Sequence, residues 1–169
     1  MKPIIFLTAL VILCMTIKEG QAQAQPGTSI GIRIGGTSGL SAKYFYRNDK
    51  CVEGILGTFG NGFSITGLIE KYSPVYNATG LYVYYGGGMH LAFYNGKDHF
   101  NSYFGRETDY HKNNDVGVGI NGIVGIEYRL SENIPIAISL DLKPFIEMGS
   151  YGYVSFAPDP SLGVKFIIR

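Results

Sequence analysis

Three sets of residues in this chain are of types that can do chemistry. The first is the polar stretch 95–114, NGKDHFNSYFGRETDYHKNN, where His99 and His111 stand among Asp98, Ser102, Glu107 and Asp109, with Asp115 just beyond. A histidine base, an acid that fixes its tautomer and a serine nucleophile are the parts of acyl transfer, and histidines among carboxylates are the parts of a metal site. No His-x-Ser pairing is present, and no spacing fixes these groups relative to one another. The second set is Gly117-x-Gly119-x-x-Gly122, the letters of a dinucleotide fingerprint. That chemistry needs a helix after the glycines, so that its N-terminus meets a pyrophosphate. The next residues, IVGIEYRL, instead alternate with period two. These glycines therefore read as small inward residues packed against larger neighbours. The third set is Arg33, Lys43, Glu53, Glu127, Arg129, Asp141, Lys143, Glu147 and Lys165, charges lying inside otherwise apolar, alternating segments. No catalytic residue, cofactor or metal site is assigned from any of the three.

The segments that position the third set are best seen in 115–147. Val116, Val118, Ile120, Gly122, Val124, Ile126 and Tyr128 share one parity, and Gly117, Gly119, Asn121, Ile123, Gly125, Glu127 and Arg129 the other. After Ser131-Glu132-Asn133, Ile136, Ile138, Leu140, Leu142 and Ile146 alternate with Ala137, Ser139, Asp141, Lys143 and Glu147. Side chains of successive strand residues point to opposite faces. Each strand thus has one apolar face and one charged face. Strands of soluble sandwiches commonly run about 5–6 residues, whereas a tilted membrane-spanning strand needs about 9–11. These two are of the longer kind.

The same pattern recurs along the chain. Ile30, Ile32 and Ile34 alternate around Arg33; after Gly36-Thr37-Ser38-Gly39, Leu40, Ala42, Tyr44 and Tyr46 oppose Ser41, Lys43, Phe45 and Arg47. A strand at 51–59 carries Glu53, and one at 63–72 has adjacent Leu68 and Ile69, so either parity fits it. A fifth, 80–94, carries Leu81, Val83 and Tyr85 on one parity, His90, and the run Gly86-Gly87-Gly88, which suits a bend or room for a side chain across a lumen. After a loop at 149–160, Leu162, Val164, Phe166 and Ile168 alternate against Ser161, Gly163, Lys165 and Ile167. The count is eight antiparallel strands with no helix in the mature chain, an even number that lets the ends of the sheet pair. The expected fold is an all-β, eight-stranded antiparallel up-and-down transmembrane β-barrel over 25–169. Its apolar parity faces lipid, with Tyr44, Tyr46, Tyr85 and Tyr128 as interface anchors. Its charges face an interior just wide enough for side chains to fill. With the N-terminus periplasmic, Asn48-Asp49-Lys50, Ser73 to Thr79 and Ser131 to Asn133 are periplasmic turns, and 95–114 and 149–160 lie outside the cell.

Composition agrees with an exported barrel. Charged residues are 16% of the chain, below the roughly 25% of an average soluble domain. Residues 1–24 hold Lys2, an apolar run from Ile4 to Ile17, and Ala22-Gln23-Ala24. They read as a cleaved secretory signal peptide, with the mature start near Gln25. Removing them takes the formal charge from +1 to 0, with 12 basic against 12 acidic residues. A neutral chain without basic clusters has no electrostatic footprint for nucleic acid. Cys14 leaves with the signal, so Cys51 is the only mature cysteine and no intramolecular disulfide forms.

The stretches Ile34 to Phe45, Tyr85-Gly86-Gly87-Gly88, Gly122 to Tyr128 with Ile134-Pro135, and Asp141-Leu142-Lys143-Pro144 resemble the small outer-membrane β-barrel proteins of Bacteroidetes-type, Gram-negative bacteria. The resemblance covers nearly the whole mature chain. It implies a membrane protein of the cell outer membrane whose partners are outer-membrane lipid and, during insertion, the barrel-assembly machinery. It brings no catalytic residues to carry over. One departure is the C-terminal Phe166-Ile167-Ile168-Arg169, where such barrels commonly end in an aromatic residue. The function expected is structural or surface interaction without catalysis, with an unidentified partner of the external loops. The alternatives are a lipid A modifying acyl-transfer or deacylase enzyme, and a soluble exported calycin-like barrel with a small apolar ligand inside.

Overall fold

The computed structural model describes residues 27–60, 62–94, 115–131, 134–150 and 154–168. The signal assigned to 1–24 and the polar stretch 95–114 lie outside these residues. The described chain is all β: β1 (Thr28–Gly35), β2 (Ser38–Arg47), β3 (Lys50–Phe59), β4 (Gly62–Pro74), β5 (Leu81–Tyr94), β6 (Asp115–Ser131), β7 (Ile134–Leu142), β8 (Phe145–Gly149), β9 (Val154–Ala157) and β10 (Pro160–Ile168). Every pairing is antiparallel, and β5 with β6 and β1 with β10 close the sheet on itself. The register of β7 against β6 continues unchanged into β8, and that of β10 against β7 continues into β9 against β8. The ten strands are therefore eight staves, the seventh made of β7 and β8 and the eighth of β9 and β10. The closed eight-stranded antiparallel barrel agrees with the expectation from sequence.

One boundary differs. The eighth stave starts at Val154, inside the segment assigned to a loop, because Pro158 and Pro160 read as loop signals. Proline is tolerated in a strand where its missing N–H breaks no ladder bond: both ring nitrogens lie on the side of the stave away from β7 and β8, Pro160 at the last rung of the β1 ladder, where its carbonyl still accepts the Gly36 amide, and Pro158 beyond that rung, where no described residue pairs with it. Chain reversals are tight where the sequence supplies turn residues. The β4–β5 turn uses the left-handed conformations of Asn77 (φ 60°) and Gly80 (φ 82°), which Asn and Gly adopt most readily.

Closure comes with a stagger. A row of paired residues leaving Ile32 passes through Leu40, Leu56, Ile65, Leu91, Val118 and Met148 to Val154. Ile32 itself pairs directly with Val164, ten residues from Val154 on the same stave. Eight strands closing with such a shear must tilt by about 35–45°. All eight side chains of this row are exposed and apolar. Tyr44, Tyr46 and Tyr128 are exposed near the end that carries Thr28 and Ile168, and Phe63 and Phe156 near the other, with Phe93 half-buried beside Phe63. Phe63 and Phe93 stack with centroids 4.7 Å apart. The polarity of the barrel is thus inverted relative to a soluble one: apolar side chains outside, charged ones inside.

Candidate functional site: the charged interior

The pleat sends every second residue inward, and that parity carries nearly all the ionisable side chains of the staves. Arg33, Lys43, Glu53, Glu127, Asp141, Lys143, Glu147 and Lys165 are buried, and Arg129 is nearly so. All nine charges assigned inward from sequence lie there. Among the described residues the interior also holds two more carboxylates, Glu70 and Asp159, and the imidazole of His90. Glu70 was hidden by the undecided parity of its strand, where Leu68 faces in and Ile69 out. Asp159 was hidden by the prolines on either side. His90 was legible, since its parity is opposite to that of Leu81, Val83 and Tyr85.

The charges form three connected layers. Nearest the end that carries Thr28 and Ile168, Arg129 lies over the Tyr82 ring at 4.2 Å and donates its Nε–H to Glu127 at 3.1 Å. Tyr72 donates its hydroxyl to Glu127 at 3.0 Å, and Tyr72 and Tyr84 stack at 4.9 Å. Lys43 sits beside them, donating to Glu70 at 2.7 Å and to the Tyr72 hydroxyl at 2.6 Å, 3.5 Å from Glu53, and 4.1 Å above the Tyr84 ring. Glu53 also takes Lys165 at 3.3 Å and the Ser41 hydroxyl. The Cys51 thiol donates to Glu70 at 3.4 Å.

In the middle layer Arg33 pairs with Asp141 at 2.9 Å, which accepts the hydroxyls of Tyr84 and Ser161, each at 2.8 Å. Lys143 pairs with Asp159 at 2.8 Å. Asp159 in turn accepts the Thr37 amide at 2.8 Å and the Thr37 hydroxyl, tying the β1–β2 turn to the eighth stave. At the opposite end His90 Nε2 is 2.9 Å from Glu147, its Nδ1 is 2.6 Å from the Asn121 side-chain Oδ1, and Tyr94 donates to Glu147 at 2.5 Å. A small cavity beside this layer, lined by Phe59, Thr66, Ala92 and Phe145 among others, has room for about one water molecule.

Small residues make space for these layers. A Cβ on Gly125 would lie 2.6 Å from both the Tyr84 ring and the Asp141 Cβ, and one on Gly119 would lie 2.3 Å from the His90 ring. Gly117 and Gly119 are the inward packers expected of them, but Gly122 takes the outward parity, with the Pro144 ring 3.7 Å from where its Cβ would be. In the Gly86-Gly87-Gly88 run the close neighbour is backbone: a Cβ on Gly88 would lie 1.9 Å from the Gly67 carbonyl oxygen.

Chemically the interior is a set of buried ion pairs, several of them hydrogen-bonded, in which some buried polar atoms, Arg33 Nε and Glu70 Oε1 among them, have no hydrogen-bond partner among the described residues. His90 has both ring nitrogens engaged, so neither is offered to a nucleophile or a substrate. Among the described residues no group of three or more His, Cys, Asp and Glu is arranged to hold a metal ion. The candidate residues His99 and His111, with Asp98, Ser102, Glu107 and Asp109, lie outside the described residues. No protein-family model matches the chain, and neither a curated protein nor a solved structure gives a match.

Proposed function

We propose that this chain is an integral outer-membrane β-barrel protein that serves as a closed structural or surface-presenting scaffold and performs no catalysis. The observation that carries this reading is the inverted polarity: among the described residues about thirty large apolar side chains face out, and the ion pairs face in. In water such a surface is a large exposed apolar patch, which soluble monomers rarely tolerate. In a bilayer it is the favourable arrangement, since a lipid-facing Arg or Lys at the midplane costs roughly 2–4 kcal/mol. A calycin-like barrel with an apolar ligand would need the opposite faces inside. The layered plug of Lys43, Glu53, Glu70, Tyr72 and Tyr84 supports a scaffold in preference to a wide diffusion pore.

The test is fractionation of the native host, followed by electrophoresis of the outer-membrane fraction with and without boiling. A closed barrel stays compact in detergent until heated, so the unboiled chain is expected in that fraction with an altered mobility. Recovery as a soluble periplasmic protein would overturn the reading. The absence of catalysis has its own check: His99→Ala and His111→Ala are expected to leave the acylation pattern of the host's lipid A unchanged.

A further inference from the structure

The stagger of the barrel leaves one piece of strand edge without a neighbour among the described residues. β1 pairs with the eighth stave from Ile168 up to Ser161, and the Gly36 amide bonds the Pro160 carbonyl before the chain turns into β2. Beyond that point, again among the described residues, β9 pairs with β8 alone. The direction of its backbone groups follows from two bonds: the Pro160 carbonyl points to β1, and the Asp159 carbonyl points to the Lys143 amide. Backbone groups alternate along a strand, and the constant register excludes a bulge. The free side therefore carries the N–H and C=O of Val154 and Phe156 and the C=O of Pro158.

Exposed strand edges are ordinarily blunted by charges, bulges, prolines or a covering element. Here proline occupies positions 158 and 160, removing the two lower donors, while Val154 and Phe156 keep both groups. Neither face of 154–158 carries a charge. Among the described residues the edge is closed to pairing below and left open above. We propose that this upper edge of β9 is a docking strip for an extended segment of a partner polypeptide, added as a short strand above the β1–β2 turn. An extended peptide is the ligand whose donors and acceptors repeat at this spacing; lipid tails have none. The segment would place apolar side chains beside Val154 and Phe156, both more than 60% exposed, and small ones beside Ser155 and Ala157. A second copy of this chain fits poorly. On the membrane reading, two barrels in one bilayer tilt their eighth staves by about 35–45° in opposite senses, so the two strips cross and do not align.

The experiment uses the refolded barrel in detergent micelles and, as probe, a short acetylated peptide of alternating valine and threonine. Amide-resolved hydrogen exchange is expected to show slowing of about tenfold at Val154 and Phe156 when the strip is occupied. Phe156→Ala keeps the edge N–H and is expected to retain this response. Phe156→Pro removes an N–H that points away from β8, so it is expected to abolish the response while the barrel keeps its heat-dependent mobility. No response at about 1 mM peptide, the weak end of specific affinity, would overturn the proposal. So would a response that survives Phe156→Pro, or a sedimenting dimer that Phe156→Pro dissolves, which would assign the edge to a second copy. Because the readout is in micelles, failure of the strip and failure of the membrane assignment are separately visible.

Discussion

Lys43 Nζ lies 2.7 Å from Glu70 Oε2 at the centre of a barrel whose outer surface is apolar, and both side chains are fully buried. Among the described residues Glu70 has no second cation: Glu53 shares Lys43 but also has Lys165 at 3.3 Å. The pair therefore separates two effects that are usually entangled, the cost of burying charge and the cost of leaving it unpaired.

Removing one partner of a buried pair strands the other, at about 3–5 kcal/mol, whereas replacing both with neutral groups of similar shape is close to neutral. Lys43→Met is expected to lower the stability of the folded barrel by that amount, read from its urea midpoint in lipid vesicles. The double variant Lys43→Met, Glu70→Gln is expected to recover most of the loss. A double variant as unstable as the single one would mean that Lys43 acts through its stack on Tyr84 and not through Glu70.

Leu140 stands midway along the seventh stave, more than half exposed, on the parity opposite to Asp141. If that face meets lipid, Leu140→Arg costs about 2–4 kcal/mol; if it meets water, a surface change of this kind stays within about 0.5 kcal/mol. The larger value is expected, measured by reversible unfolding from vesicles. A near-zero value would exchange the solvent assigned to every outward residue.

Positions 43, 70 and 140 also show how much was legible in the sequence and why. Strict alternation fixed the faces of Arg33, Lys43, Asp141 and Lys165, because one charge in an apolar strand decides its parity. It failed at Leu68-Ile69-Glu70, where adjacent apolar residues satisfy both parities and only the neighbouring strands choose between them. It failed again at Asp159, since proline signals a loop unless the lack of a neighbour is known. That lack arises from the shear of the closed barrel, a property of all eight registers together that no local stretch carries. The joining of charges into layers was likewise invisible, because the partners Lys43 and Glu70, or His90 and Glu147, are far apart in sequence.

Gly125 tests the packing of the interior. The space a side chain would take there is filled by the Tyr84 ring and by Asp141, so Gly125→Ala overpacks a closed ring of staves that cannot spread. Overpacking costs about 1–3 kcal/mol, and the variant is expected to fold in lower yield, with its urea midpoint reduced to match. Unchanged yield and midpoint would show that Tyr84 has room to move and that its bond to Asp141 does not hold the middle layer in place.

Pro158 tests the edge. Its ring nitrogen lies on the side of the eighth stave that has no neighbour among the described residues, between the outward Phe156 and Leu162. Pro158→Ala adds an N–H at that point while leaving the ladder to the seventh stave untouched. In a bilayer a donor with no partner costs about 1–3 kcal/mol, a loss to be read from unfolding in vesicles. In detergent, where water reaches the edge, the loss is expected to be smaller. Equal stability of Pro158→Ala and the parent chain in vesicles would mean that water or a neighbour already serves that edge in the bilayer. The prolines would then bound no strip, and the free edge would extend down to the β1–β2 turn.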